Sequence, residues 1–151
     1  MPQSLAKVIL HTVFSTKNRA PFLRDENIRK ELYAYLATVL ENMGCPAIVI
    51  GGVADHIHIL GLLSRTRTIS DMIEEIKTST SRWVKTKGPS YHDFYWQNGY
   101  GVFSASESKT PDVRRYIETQ EGHHRTTSFQ DEFRAICQRH GVAIDERYVW
   151  D

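Results

Sequence analysis

The stretch that most constrains this chain is Asp55-His56-Ile57-His58-Ile59-Leu60. Its alternation of apolar and polar residues reads as a strand, so His56 and His58 project from one face while Ile57 and Ile59 project from the other. Successive strand residues rise about 3.3 Å, which sets the two histidine Cα atoms roughly 6.6 Å apart, close enough for both imidazoles to reach one divalent ion. The competing reading is plainer: two polar residues on the solvated side of a sheet. Only a third group from elsewhere in the chain can decide between them.

A chain of 151 residues with 25% charged side chains fits a single globular domain. We take residues 1–151 as that domain, with a core over about 4–104 and an extension over about 109–151. No apolar run reaches the 18 to 20 or so residues of a membrane span, and the N-terminus lacks a secretory pattern, so a cytoplasmic location is expected. Cys45 and Cys137 stand far apart without C-x-x-C partners and read as buried thiols. The formal net charge of +1 gives no global field for nucleic acid, so phosphate contacts must come from local basic clusters.

Ser4 to Thr16 is rich in β-branched residues and predicts a strand with Val8, Leu10 and Thr12 on one face and Ile9, His11 and Val13 on the other. His11 either lines the site or packs inside the sheet, and the second is expected. Lys17 and Arg19 form a basic loop. Asp25 caps a helix carrying Ile28, Leu32, Leu36, Val39 and Met43 on one stripe, stopped by Gly44 and Pro46. Ala47 to Val53 predicts a strand that pairs with the histidine strand as a hairpin, and its Gly51 and Gly52 clear room beside the histidines. Arg65 and Arg67 lead to a second helix, with Thr68 or Ser70 as cap, whose later polar face carries Lys77, Arg82 and Lys85.

An aromatic strand is expected from Phe94 to Phe103, with roughly half its rings in the core and the others suited to stacking on bases. Ser104 to Ser108 reads as a hinge. Thr110 and Pro111 open a third helix running to about His124, and a last helix spans about Phe129 to His140. The order is β-α-β-β-α-β plus two helices: an α+β, ferredoxin-like (RRM-like) sandwich with a C-terminal helical extension. Both core helices cover one sheet face, and the histidines are expected on the bare one.

Tyr116 and Gln120 lie four residues apart on the third helix and share its face. If that helix covers the bare sheet face, Gln120 offers an amide oxygen as a third ligand and Tyr116 a nucleophile for a phosphodiester. His123 returns to the same face as a rival ligand or proton shuttle. Arg114 and Arg115 are cations beside the tyrosine. Two imidazoles and an amide suit Mn²⁺, Zn²⁺ or Ni²⁺ better than Mg²⁺.

The ordered set Leu10-His11-Thr12-Val13-Phe14-Ser15-Thr16-Lys17, Asp55-His56-Ile57-His58, Tyr95-Trp96-Gln97 with Gly99-Tyr100, Tyr116-Ile117 with Gln120 and His123-His124, and Phe129-Gln130-Asp131-Glu132-Phe133 resembles the HUH-type single-tyrosine transposases of small bacterial insertion sequences and their repeat-associated relatives. The resemblance covers nearly the whole chain. It implies His56, His58 and Gln120 as ligands of Mg²⁺ or Mn²⁺, and Tyr116 as the nucleophile that forms a 5′-phosphotyrosine and frees a 3′-OH. It further implies single-stranded DNA with hairpin ends as substrate, and a homodimer in which each tyrosine helix completes the partner's site. Candidate DNA contacts are Lys17, Arg19, Arg65, Arg67, Lys77, Arg82, Lys85, Arg114 and Arg115. Two alternatives stand beside it. One is a non-catalytic or domesticated single-strand binder, which has no need of these four side chains together. The other is a hydrolytic phosphoesterase, which calls for carboxylate ligands or a second histidine motif, neither of which the sequence suggests.

Overall fold

The alternating apolar pattern around the histidine pair becomes the second strand from one edge of a four-stranded sheet in the computed structural model, which describes residues 2–151. The strands are β1 (Ile9–Ser15), β2 (Ala47–Val53), β3 (His56–Leu62) and β4 (Gly101–Ala105), in the spatial order β2-β3-β1-β4 with antiparallel neighbours throughout. Helices α1 (Glu26–Asn42) and α2 (Ile69–Lys85) are the two crossovers. This is the ferredoxin-like order expected from the sequence. Beyond it lie α3 (Thr110–Glu118), a single turn α4 (Gln120–His123) and α5 (Phe129–Arg139).

Local chemistry explains the helix limits. The Asp25 carboxylate accepts from the backbone N–H groups of Asn27 and Ile28, and α1 stops where Gly44 takes a left-handed φ of 71°. Thr68 caps α2 by accepting from Asp71 N–H. Leu10, Phe14, Ile57 and Ile59 form one sheet face, buried against Leu32, Leu36 and Leu40 of α1 and Met72, Ile73 and Ile76 of α2. Each such side chain contributes about 1.5–3 kcal/mol on burial.

The other face is not bare. Helices α3, α4 and α5 cover it, over one apolar cluster of Ile9, Leu60 and Ile117 and another of Val13, Phe103, Phe129, Phe133 and Ile136. Gly51 gives α3 its seat: a Cβ there would lie 2.6 Å from the Ile117 carbonyl oxygen. The glycine thus makes room for the tyrosine helix rather than beside the histidines. Gly101 does the same for α5, since its Cβ would meet the Phe133 ring at 2.7 Å.

Four boundaries differ from the sequence reading. β1 begins at Ile9 rather than Ser4, because its partners end there: Ile9 pairs with Leu62 on one side and Ala105 on the other. Of the expected aromatic strand only Gly101–Ala105 is a strand; the approach to it is a 3-10 turn (Pro89–Tyr91) and a single bridge from Trp96 to Thr16. The cause is that the carbonyls of Gln97, Asn98 and Gly99 accept from Lys77 Nζ, and Gly99 N–H donates to the Asp151 carbonyl, so these groups are taken from any ladder.

The expected hinge is also more ordered than a hinge should be: Ser104 and Ala105 belong to β4, and Glu107–Lys109 is a 3-10 turn that runs straight into α3, which Thr110 and Pro111 open with Lys109 in the N-cap position. The third helix breaks at Thr119, whose hydroxyl donates to the carbonyls of Arg115 and Tyr116 and so competes with the helical ladder.

Candidate functional site

Strand register puts the two histidines where the covering helices converge. Ser15 faces His56, and Val13 and Gly51 face His58 from the strands on either side, so both imidazoles point into the layer under α3 to α5. Both are wholly buried. The buried carboxylate of Glu132 meets them there. Its Oε1 lies 2.9 Å from His58 Nε2 and 3.2 Å from His56 Nε2. Its Oε2 accepts from Gln120 Nε2 at 3.0 Å and from the Tyr116 hydroxyl, and lies 3.0 Å from His124 Nε2 and 3.4 Å from His123 Nε2.

Glu132 and His124 are the members that the sequence reading does not assign. The signal for Glu132 is in α5: Phe129, Phe133 and Ile136 form its buried stripe, and position 132 falls on that stripe, where a lone carboxylate needs partners. His124 is held by Nδ1, which lies 2.6 Å from the Thr127 carbonyl.

The donor set fits a divalent ion. His56 Nδ1 bonds the Asp55 carboxylate at 2.6 Å and His124 Nδ1 lies against a carbonyl, so in each ring Nε2 is the nitrogen turned toward Glu132. His56 Nε2 faces two oxygens, those of Glu132 and Gln120 (3.2 Å each). A divalent ion bound among these atoms would replace the protons that the Nε2 atoms otherwise hold toward the carboxylate. The ligand atoms of His56, His58, His124 and Glu132 all lie within 4.8 Å of one another. His11 lines the site rather than merely packing in the sheet: its Nε2 is 2.8 Å from His58 Nδ1, because the two residues project from the same sheet face.

The same cluster shifts the titrations. Burial pushes Glu132 up, but hydrogen bonds from His124, His56 and His58 outweigh it and hold the carboxyl far below its usual range. Burial lowers His56, yet hydrogen bonds to Asp55 and Glu132 prevail and push it up to about 9. His58 is lowered by burial, and His11 falls to about 3 through burial and the neighbouring His58. For Tyr116, burial and then the hydrogen bond and charge of Glu132 push the phenol above its ordinary value. The tyrosine is therefore a neutral hydrogen-bond donor as long as the carboxylate's charge is uncompensated.

Comparison with known proteins bears on what this arrangement serves. The sequence model of the family described as "Transposase IS200 like" matches residues 4–120. This chain belongs to the IS200-like transposase family. A candidate transposase from Deinococcus radiodurans has a similar fold, with a TM-score of 0.62 at 21% identity over 80% of this chain and 95% of its own. A REP-associated tyrosine transposase bound to a REP hairpin is similar at a TM-score of 0.54 and 16% identity, over 80% of this chain and 68% of that one. No curated protein sequence matches. The family assignment and both structures agree with the resemblance read from the motifs.

Within this IS200-like chain the expected residues divide into two groups. Tyr116, His56, His58, Gln120 and His123 meet at Glu132, all from one copy, so the tyrosine packs beside its own histidines, with the Tyr116 and His58 ring centres 5.7 Å apart. Among the basic candidates, Lys17, Arg65, Arg82, Arg114 and Arg115 are exposed, and Arg114 and Arg115 pair with Glu118 and Asp112 on their own helix. Arg67 pairs with Glu75, and Lys85 donates to Ser81 Oγ. Lys77 is spent on three carbonyls inside the fold. Arg19 lies next to Asn18, both at a φ of 56°, its guanidinium 6.0 Å from the Trp150 ring centre. Among the described residues no helix is long and apolar enough to cross a membrane.

Proposed function

We propose that this transposase cleaves and rejoins single-stranded DNA at hairpin-bearing element ends in the cytoplasm, with Tyr116 as nucleophile. The observation that carries this reading is the convergence of Tyr116, His56, His58, Gln120 and His124 on the one carboxylate of Glu132. The ligands of the ion are His56, His58, His124 and Glu132, with the Gln120 amide oxygen beside them. Mn²⁺ or Mg²⁺ bound there supplies positive charge that offsets Glu132 and polarises a phosphodiester.

The residues do the rest. Asp55 and His11 fix the ring orientations of His56 and His58. Tyr116 Oη attacks phosphorus, the Oη–P bond forms as the P–O3′ bond breaks, and the phenolic proton passes by way of His123 to the departing 3′-oxygen, which leaves as a hydroxyl. The His123 ring lies 5.4 Å from that of Tyr116 and is partly exposed, and its Nε2 is 3.4 Å from the Glu132 oxygen that accepts from the phenol. The 5′-phosphotyrosine keeps the energy of the broken bond, so a second 3′-OH displaces the tyrosine in the reverse step without a nucleotide cofactor.

The hairpin substrate is supported by the REP-hairpin complex of a protein with this fold. Since one copy holds the whole constellation, we place the reaction in cis. A homodimer that exchanges tyrosine helices would have to undock α3 from β2, on which it packs through Ile117 and Gly51. The carboxylate at the site removes one objection to a hydrolytic phosphoesterase, but a tyrosine hydrogen-bonded into the cluster favours the covalent route. The test is a covalent adduct on denaturing gels after incubation with single-stranded hairpin DNA and Mn²⁺. The adduct should vanish in Tyr116→Phe, and His56→Ala should abolish it while keeping most DNA binding; free 5′-phosphate product without adduct would refute the tyrosine mechanism.

A further inference from the structure

The segment before β4 and the residues after α5 place three tyrosines along one strip at the β4 edge of the molecule. Tyr95, Tyr100 and Tyr148 are 54%, 41% and 64% exposed, so each leaves much of its ring open to solvent. Tyr100 belongs to two adjoining clefts. One, of about 780 Å³, runs between β4, the start of α2 and the chain end, and contains Tyr148. The other, of about 410 Å³, runs along α2 past Thr78 and Ser81. Ser81 accepts from Lys85 Nζ, which lies 4.2 Å from the Tyr95 ring centre. The strip is therefore continuous: Tyr95, Lys85, Tyr100, Tyr148.

Each ring carries a cation: Lys85 at Tyr95, Lys77 at 5.6 Å from Tyr100, and Arg147 at 5.2 Å from Tyr148. Rings spaced apart by hydroxyls and cations differ from the contiguous apolar centre of a protein interface. They match what a single strand presents, bases to stack on and a phosphate between each pair. The strip and the site lie toward the same end of β1: Gln97, in the second cleft, accepts from Ser15 N–H, and Ser15 pairs with His56 in the β1–β3 ladder.

We infer that this tyrosine strip is a second DNA track, on which the single-stranded flank of the substrate stacks while its hairpin junction lies at Tyr116. The inference rests on the proposed reaction for its choice of DNA. Arg147 is neutralised by Asp145 and Lys77 is engaged with carbonyls, so Lys85 is the main phosphate contact and stacking supplies most of the affinity. The track's share of binding should therefore depend only weakly on salt.

The test uses the full-length protein and fluorescence anisotropy with two hairpin DNAs, one with almost no single-stranded flank and one with a flank of about 12 nucleotides. Tyr95→Ser, Tyr100→Ser and Tyr148→Ser should each weaken the long-flank DNA about 10-fold, leave the short-flank DNA unchanged, and leave the melting temperature unchanged. Tyrosine-to-tryptophan variants should restore binding. Adduct formation on saturating short-flank hairpin should proceed at the wild-type rate in all three serine variants. Equal effects on both DNAs, or none on either, would overturn the inference. So would long-flank binding that is unchanged while sedimentation shows a dimer lost, since the strip would then belong to a second copy. Loss of long-flank binding in a protein that forms no adduct would sustain the track and refute the catalytic reading instead.

Discussion

The seat of the tyrosine helix depends on a single missing methyl group, and Gly51→Ala tests it. Gly51 has no need of a left-handed backbone, so alanine brings no conformational strain and only the contact counts. Its Cβ would stand 2.6 Å from the Ile117 carbonyl oxygen, where ordinary contact begins at 3.4 Å, so α3 must retreat by about 0.8 Å. Ile117 is adjacent to Tyr116 and three residues from Gln120, and both move with it. A misplacement near 1 Å costs a reaction about 100-fold, so the rate of adduct formation should fall by roughly 30- to 100-fold. Overpacking should also cost about 1–3 kcal/mol of stability. The assay is single-turnover adduct formation at saturating hairpin DNA and Mn²⁺, with Mn²⁺ affinity measured in parallel by calorimetry. Metal affinity should change little, because three of the proposed ligands lie on β3 and α5 and a fourth follows α4. An adduct rate within about twofold of wild type would refute the account of the seat, and so would a loss of metal affinity as large as the loss of rate, which would mean that the strand and its histidines had moved instead.

Three further outcomes are expected. Glu132→Gln keeps the shape but removes the charge on which the imidazoles converge, and Mn²⁺ affinity by calorimetry should fall at least 10- to 100-fold. In the metal-free protein, His56 is raised in the fold from its ordinary 6.5 to about 9, so its contribution is complete below pH 6.5 and lost as pH rises through 9. The depressed Glu132 acts with opposite sign, contributing above the ordinary carboxylate range and losing that contribution in strong acid. His58 and His11, lowered in the fold, cost stability as pH falls below their ordinary 6.5, so melting in chelator should be highest near pH 6.5 and drop by up to about 3 kcal/mol toward pH 9.5. Saturating Mn²⁺ should remove that alkaline loss, because a ligated His56 is already neutral; an alkaline loss that persists would mean the ion is held elsewhere. Trp150→Ala removes a ring packed on Phe129 and Phe133 of α5, and hydrogen exchange should quicken in α5 while β1 and β3 stay protected.

Local signals made most of the fold legible. Asp25 and Thr68 announce their helices through short-range capping, and the parity of Ile57 and Ile59 fixes which way His56 and His58 point. The segment around Gln97 was not legible, because its backbone partners, Lys77 and the carbonyl of Asp151, come from distant parts of the chain. The helix break at Thr119 turns on a hydroxyl that could equally have pointed to solvent. In the site, Tyr116 with Gln120 and the histidine pair stood out by spacing, whereas Glu132 is an ordinary surface residue by type. Only its place on the Phe129–Phe133–Ile136 stripe marks it, and that place has meaning once α5 is known to lie over the histidines.

The groups that meet at Glu132 come from two parts of the chain, residues 56–58 and residues 116–132, with β4 and the whole of α2 between them. An ion held by both would staple the loop of about sixty-five residues between His58 and His124, and the free energy of chelation would be spent on docking the C-terminal layer. On the proposed reaction, assembly of the site is then a late event in synthesis: a nascent chain that has not yet emitted Glu132 owns its paired imidazoles but not the carboxylate they meet.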